Sequence, residues 1–153
     1  MSNLTIRRAT AADAETIARF NVAMAAETEG CHLPPDRVLR AVRRLLADSH
    51  LGVYWLAERD GIAVGQLLIT YEFSDWRDGV FWWIQSVYVA PFARRSGVYR
   101  ALHAHVWAEA RQTDEVCGVR LYVHRDNSAA QAVYRRLGMS ETDYRLFEAV
   151  IRR

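Results

Sequence analysis

Residues 84–102 constrain this chain more than any other part of it. An apolar run, Ile84-Gln85-Ser86-Val87-Tyr88-Val89-Ala90, is stopped by Pro91, followed by Phe92-Ala93-Arg94-Arg95-Ser96-Gly97, and continues as Val98-Tyr99-Arg100-Ala101-Leu102. The order reads as a strand, a turn and the first turn of a helix. A strand feeding a turn that opens a helix aims several unpaired N–H groups at one point. With the positive end of the helix dipole they form a receptor for a phosphate or diphosphate. Gly97 lets a ligand approach the backbone where a β-carbon would block it. Arg94 and Arg95 add guanidinium groups suited to an oxyanion. The rest of the chain has to hold this element and complete a site beside it.

At 153 residues, half of them apolar and a quarter charged, the chain has the length and profile of one soluble globular domain covering residues 1–153. A formal net charge of +2 gives no general reason to expect a nucleic-acid partner. Every basic residue is arginine, so a P-loop lysine and Schiff-base or pyridoxal-phosphate chemistry are excluded together. The first ten residues alternate polar and apolar side chains, which predicts neither a signal peptide nor a membrane span. Cys31 and Cys117 fit no metal spacing and form no disulfide framework. Both read as free thiols of a cytoplasmic protein, with Cys117 packed in the core. His103, His105 and His124 show no ligand spacing, and no metal is expected.

Residues 4–8 form a short strand candidate. Thr10 and Asp13 then mark a helix start that runs through Ile17, Phe20 and Met24 to Gly30. Pro34-Pro35-Asp36 opens a second helix with Val38, Val42 and Leu45 on one face, broken at His50-Leu51-Gly52. Strands at 53–58 and 62–71 flank Asp60-Gly61, a hairpin signal. A turn at 72–79 leads to an almost wholly apolar strand at 80–89, the pattern of a strand covered on both faces. A helix at 97–111, a buried strand at 118–123, a helix from Asn127 closed by Gly138, and a last strand at 144–151 complete the series. This order predicts an α/β (α+β) domain, a mixed sheet with helices packed on it.

Three blocks together resemble the GNAT superfamily of N-acetyltransferases. Residues Arg94-Arg95-Ser96-Gly97-Val98-Tyr99, after the strand Val87-Tyr88-Val89, are similar to its acetyl-CoA signature. That signature runs Arg or Gln, two residues, Gly, one residue, then Gly or Ala. Leu121-Tyr122-Val123 with the helix from Asn127 through Tyr134 to Gly138-Met139 resembles its later strand-and-helix block, and residues 6–13 its opening. Three positions depart from the pattern: Tyr99 replaces the final small residue, Arg95 sits where glycine is frequent, and Gln85 stands where several polyamine-type members carry a glutamate base.

The resemblance implies a GNAT fold, with a mostly antiparallel central sheet splayed between two parallel strands (80–89 and 118–123) and helices on both faces. It also implies acetyl-CoA as co-substrate, a pantetheine arm lying along Val87, Tyr88 and Val89, and a diphosphate held by Arg94, Arg95, Ser96, Gly97, Val98 and Tyr99. Donors aimed at a developing oxyanion are worth roughly 3–4 kcal/mol each. Val87 and Val89 serve equally as sheet core, since only their backbones are used. By the same resemblance Tyr134 is the general acid that protonates the departing thiolate, a transfer uphill by only about 2 kcal/mol. Without the motif it would read as a tyrosine packed on the sheet. Asn127 either bonds the pantetheine or caps its helix, and the two are compatible.

An acceptor amine of ordinary basicity is protonated at pH 7, so the site must help remove a proton at a cost of about 4.6 kcal/mol. Gln85, an amide, cannot accept it. Glu72 is the first candidate base, followed by Glu27 and Glu29; each also reads as a solvated or cation-binding carboxylate. With Trp76, Trp82 and Trp83 these acids suit a small cationic acceptor, although the tryptophans read equally well as core or dimer surface. The expected activity is a cytoplasmic acyltransferase, moving acetyl from acetyl-CoA directly to a primary amine. The alternatives are a weakly catalytic acyl-CoA sensor or protein-interaction module, motivated by Tyr99 and Gln85, and a purely structural domain. Pairing into a homodimer stays open.

Overall fold

The computed structural model of the chain describes residues 3–151; the start of the alternating N-terminal stretch, residues 1–2, and the last two residues, 152–153, lie outside them. The described residues fall into two compact units, one through Leu121 and one from Tyr122 onward.

The first unit is a five-stranded sheet in simple sequence order: β1 (Leu4–Arg8), β2 (Val53–Arg59), β3 (Ile62–Ser74), β4 (Gly79–Val89) and β5 (Val116–Arg120). All neighbours are antiparallel except β4 and β5, which run parallel. This is the mixed sheet, with one parallel pair, that the resemblance implies. Asp60 and Gly61 both adopt positive φ (52° and 77°), the geometry that the tight β2–β3 hairpin requires.

Period-two alternation explains why the sheet is covered twice. Along β2, Trp55 and Ala57 enter one core with Leu67, Ile69 and Ile84, against Val98, Leu102 and Val106 of α3 (Val98–Gln112). The intervening Tyr54 and Leu56 enter a second core with Leu68, against Ile17 of α1 (Ala14–Glu29) and Val42 of α2 (Pro35–Ala47). The helix start at Thr10 is present, but its first turn, Ala11–Asp13, is 3₁₀. The Thr10 N–H donates to Asp13 Oδ2 at 2.7 Å. Asp13 also accepts two bonds from Arg7, at 2.8 and 2.9 Å, and Arg7 reaches Glu58 on β2. The Arg7 bonds pull the Asp13 carboxyl down to about 2, against the opposing effect of burial.

Several expectations are corrected. β3 extends to Ser74, so Glu72 lies in a strand opposite Phe81 rather than in a turn. β5 begins at Val116 and ends at Arg120, so residues 121–123 are not strand. Cys117 is exposed, because alternation on this short strand turns it out while Val116 and Gly118 turn in. Residues 144–151 form no strand: Tyr144, Leu146, Phe147, Val150 and Ile151 are all exposed, and a strand-like composition is no substitute for a ladder partner.

In the second unit α4 (Ser128–Arg136) is capped as the sequence indicates, with Asn127 Oδ1 accepting the Ala130 N–H at 3.1 Å and Gly138 at φ +88° closing the end. No helix of the described residues is long and apolar enough to cross a membrane.

Candidate active site

Strand β4 is irregular where the site is expected. Ile84 faces Ile69 and Val87 faces Leu67, so Gln85 and Ser86 together stand opposite the single residue Leu68. That is a β-bulge, which breaks the ladder and bends the strand. The parallel pairing with β5 stops at the same point: its last rung is Trp83 with Arg120. Beyond it, residues 84–89 pair with β3 alone among the described ladders. Ala90 N–H donates to Val64 O at 2.9 Å, toward β3. Alternation along the strand then turns the N–H groups of Val87 and Val89 to the opposite, parted edge.

The turn above this edge has the local form that the sequence predicts. A 3₁₀ turn, Pro91–Ala93, leads to Arg95 and Gly97, both at positive φ (59° and 83°), and Gly97 precedes α3. A β-carbon on Gly97 would meet nothing within 4 Å, so the space over the turn is open and φ, not crowding, favours glycine. Ser96 Oγ donates to Ala93 O at 2.6 Å, which folds the turn on itself. A cavity of about 230 Å³ lies here, with Val89, Arg94, Gly97, Tyr99 and Arg100 in its wall. Tyr99 is half-buried and its ring lies 6.0 Å from that of His103, one turn along α3.

Arg94 is already engaged. Its Nη2 donates to Glu27 Oε2 at 2.5 Å, its Nε donates to Val89 O at 2.9 Å, and it lies over the Tyr88 ring at 5.6 Å. The Tyr88 hydroxyl donates to the other oxygen of Glu27 at 3.1 Å. The Arg94 bond, helped by Tyr88 and opposed by burial, holds the Glu27 carboxyl below its ordinary range. Burial, then Glu27, pushes the Tyr88 hydroxyl up, so it stays protonated and remains a donor. Glu29, at the end of α1, is exposed.

Glu72 sits where the parallel strands still meet. Arg120 Nη1 donates to its Oε1 at 2.7 Å and Trp83 Nε1 to its Oε2 at 2.9 Å. The Arg120 guanidinium lies 3.6 Å over the Phe81 ring. Gly118 also lies against Phe81: a β-carbon there would come within 2.6 Å of its ring. Gln85 Nε2 donates to Thr70 Oγ1 at 3.1 Å. Of the expected acidic group, therefore, Glu27 joins Tyr88 and Arg94, Glu72 joins Trp83 and Arg120, and Trp76 is exposed in the β3–β4 turn. On α4, Asn127 serves as the cap and Tyr134 is half-buried.

Two features escaped the sequence reading. Arg59, at the end of β2, donates to Ser96 Oγ at 3.1 Å and so braces the turn from a residue 37 positions away. Gln66, fully buried, donates to Asn21 Oδ1 at 2.6 Å, and Asn21 donates to the Tyr54 hydroxyl at 2.9 Å. A lone amide inside the apolar run 64–69 was the available signal for the second. For Arg59 there was none beyond its charge.

A parallel pair that parts beside a bulge, under a turn opening a helix with free space above glycine, is the architecture of an acyltransferase. A model of the acetyltransferase (GNAT) family matches residues 20–139, and the chain belongs to that family. Among solved structures, a possible acetyltransferase from Clostridium difficile 630 is 39% identical, covering 98% of this chain and 99% of that one, with a TM-score of 0.93. A probable acetyltransferase is 26% identical over 97% and 99% of the two chains, TM-score 0.86. Aminoglycoside N-acetyltransferase AAC(6')-Iy, in complex with CoA, shares the fold at 21% identity over 98% and 96%, TM-score 0.77. No curated protein matches the chain.

Proposed function

We propose that this chain transfers the acetyl group of acetyl-CoA to a primary amine of a small, cationic acceptor, by direct attack and within a single domain. The observation that carries this reading is the parted edge of β4, residues 84–89, ending at a turn whose glycine faces open space. The N–H groups of Val87 and Val89 would bind the pantetheine arm and polarise the thioester carbonyl. The amides from Arg94 to Tyr99, at the N-terminus of α3, would receive the diphosphate. An acyl-CoA supplies the activated acetyl group and a thiolate leaving group. The family motif supports Tyr134 as the acid that protonates this thiolate and leaves Asn127 free to cap α4.

The carboxylates suit a cation receptor better than a base. Both oxygens of Glu72 accept bonds from Arg120 and Trp83, and Glu27 is held ionised by Arg94. Glu27, held low by Arg94, is a weak proton acceptor, and both oxygens of Glu72 already accept bonds. The ammonium proton therefore leaves through water, with Glu27, Glu29 and Glu72 drawing the cation in.

A thiol-release assay with acetyl-CoA and a panel of amines tests the reading, with amine-dependent CoA release as the expected result. Binding of CoA without amine-dependent release would favour the second reading, an acyl-CoA sensor. That reading draws support from Gln85, an amide bonded to Thr70 where a base would otherwise stand.

A further inference from the structure

Arg94 and Glu27 stand in a relation that neither the fold nor the chemistry above requires. Arg94 belongs to the wall of the cavity over the turn, yet its guanidinium is bonded to a carboxylate from the far end of another helix, 67 residues earlier in the chain. Glu27 lies in the last turn of α1, which also holds Glu29 and contains no basic residue. The helix dipole disfavours carboxylates at that end, so helix stability does not account for them. Glu27 is instead held by two donors that both come from the cofactor side, the Arg94 guanidinium and the Tyr88 hydroxyl.

We infer that Glu27 is an internal counter-anion for the cofactor site: it pairs with Arg94, and the diphosphate of CoA displaces it. This rests on the assignment of the turn as the diphosphate site. The exchange is favourable on charge alone, since one carboxylate gives way to a diphosphate that also meets the backbone amides opening α3. It is also accessible, because the Arg94 and Glu27 side chains are 45% and 40% exposed, and exposed ion pairs hold weakly. Cofactor binding then leaves Glu27 without the guanidinium, beside the exposed Glu29, which makes the end of α1 more attractive to a cation once CoA is in place. Glu27 is in this sense a positioning residue that couples the two substrates.

Calorimetric titration of the full chain with CoA tests the exchange. Glu27→Gln should tighten CoA binding by about three- to tenfold, because the internal competitor is gone. Arg94→Gln should weaken it by roughly tenfold. In the Arg94→Gln background the Glu27 substitution should change nothing further, since the two act through one contact. Glu27→Ala gives the same comparison without an amide able to re-form the bond. A wild-type protein that binds CoA with an affinity unmoved or weakened by both Glu27 substitutions overturns the exchange alone. So does tightening that persists without Arg94, which would be a long-range charge effect. A wild-type protein that binds no CoA overturns the cofactor site and the exchange together.

Discussion

Two arginine–carboxylate pairs flank the parted stretch of β4, and they are built alike but placed differently. Glu72 takes Arg120 and the Trp83 indole; Glu27 takes Arg94 and the Tyr88 hydroxyl. In each, one carboxylate oxygen accepts from a guanidinium and the other from an aromatic side chain of β4. Arg120, however, closes the last rung of the parallel ladder with its guanidinium against Phe81, whereas Arg94 sits in a turn at the wall of a cavity. On the proposed reading, the same chemistry serves as a clamp where strands stay joined, and as an exchangeable contact where the diphosphate enters. What differs is how closely the arginine is packed, 3.6 Å over the Phe81 ring for Arg120 against 5.6 Å over the Tyr88 ring for Arg94.

The widest test of this contrast removes the anion's seat. Gly97→Glu places bulk and negative charge in the space over the turn. CoA affinity should fall by about 100-fold or more while the Glu72 clamp keeps the fold intact, read by calorimetry alongside far-UV circular dichroism. An unchanged dissociation constant would move the diphosphate elsewhere and dissolve the contrast. Tyr134→Phe separates anion binding from chemistry: the maximal rate should drop roughly tenfold or more with CoA affinity unaltered. Equal loss of both would make Tyr134 structural.

Breaking the clamp should produce a smaller effect of another kind. Glu72→Gln should lower Tm by about 2–4 °C, the worth of a half-exposed pair in a domain of this size, and leave the pH–rate profile in place. A profile displaced to higher pH would instead give Glu72 the proton. The mildest effect concerns acid. His103 is buried, stacks on Trp107 at 4.5 Å and is pushed down by desolvation, so the fold holds it neutral. Its contribution is complete above about pH 6.5 and declines as pH falls toward the folded value, because only the unfolded chain protonates freely there. Glu27, held low, stays paired through this window and fails only at more acid pH. Thermal melts between pH 7.5 and 5.5 should therefore show a loss that His103→Phe reduces, with the tightening of CoA by Glu27→Gln constant across the same range.

Local chemistry was legible in the chain, and contacts across long separations were not. The Asp60-Gly61 hairpin, the Gly30 and Gly138 helix ends, the Asn127 cap and the Gly97 turn each depend on a few neighbouring residues and their allowed dihedral angles. The unbroken apolar run at 80–89 likewise marked an interior strand, and β4 pairs with a strand on each side. Cys117 and residues 144–151 show the limit of that signal: apolarity proposes burial, but only a partner surface grants it. Arg59 on Ser96, Gln66 on Asn21 and Arg94 on Glu27 join residues 37, 45 and 67 positions apart, and no composition rule selects one arginine among twenty basic residues.

By itself, then, the amino-acid order determined the family, the succession of elements as far as α4 and the local form of the Gly97 turn, because dihedral preference and hydrophobic period act over a handful of residues. The tertiary structure alone decided where β4 leaves β5 and which carboxylate answers which arginine. Those outcomes depend on register and on the meeting of distant side chains, and both are settled only when the sheet is assembled.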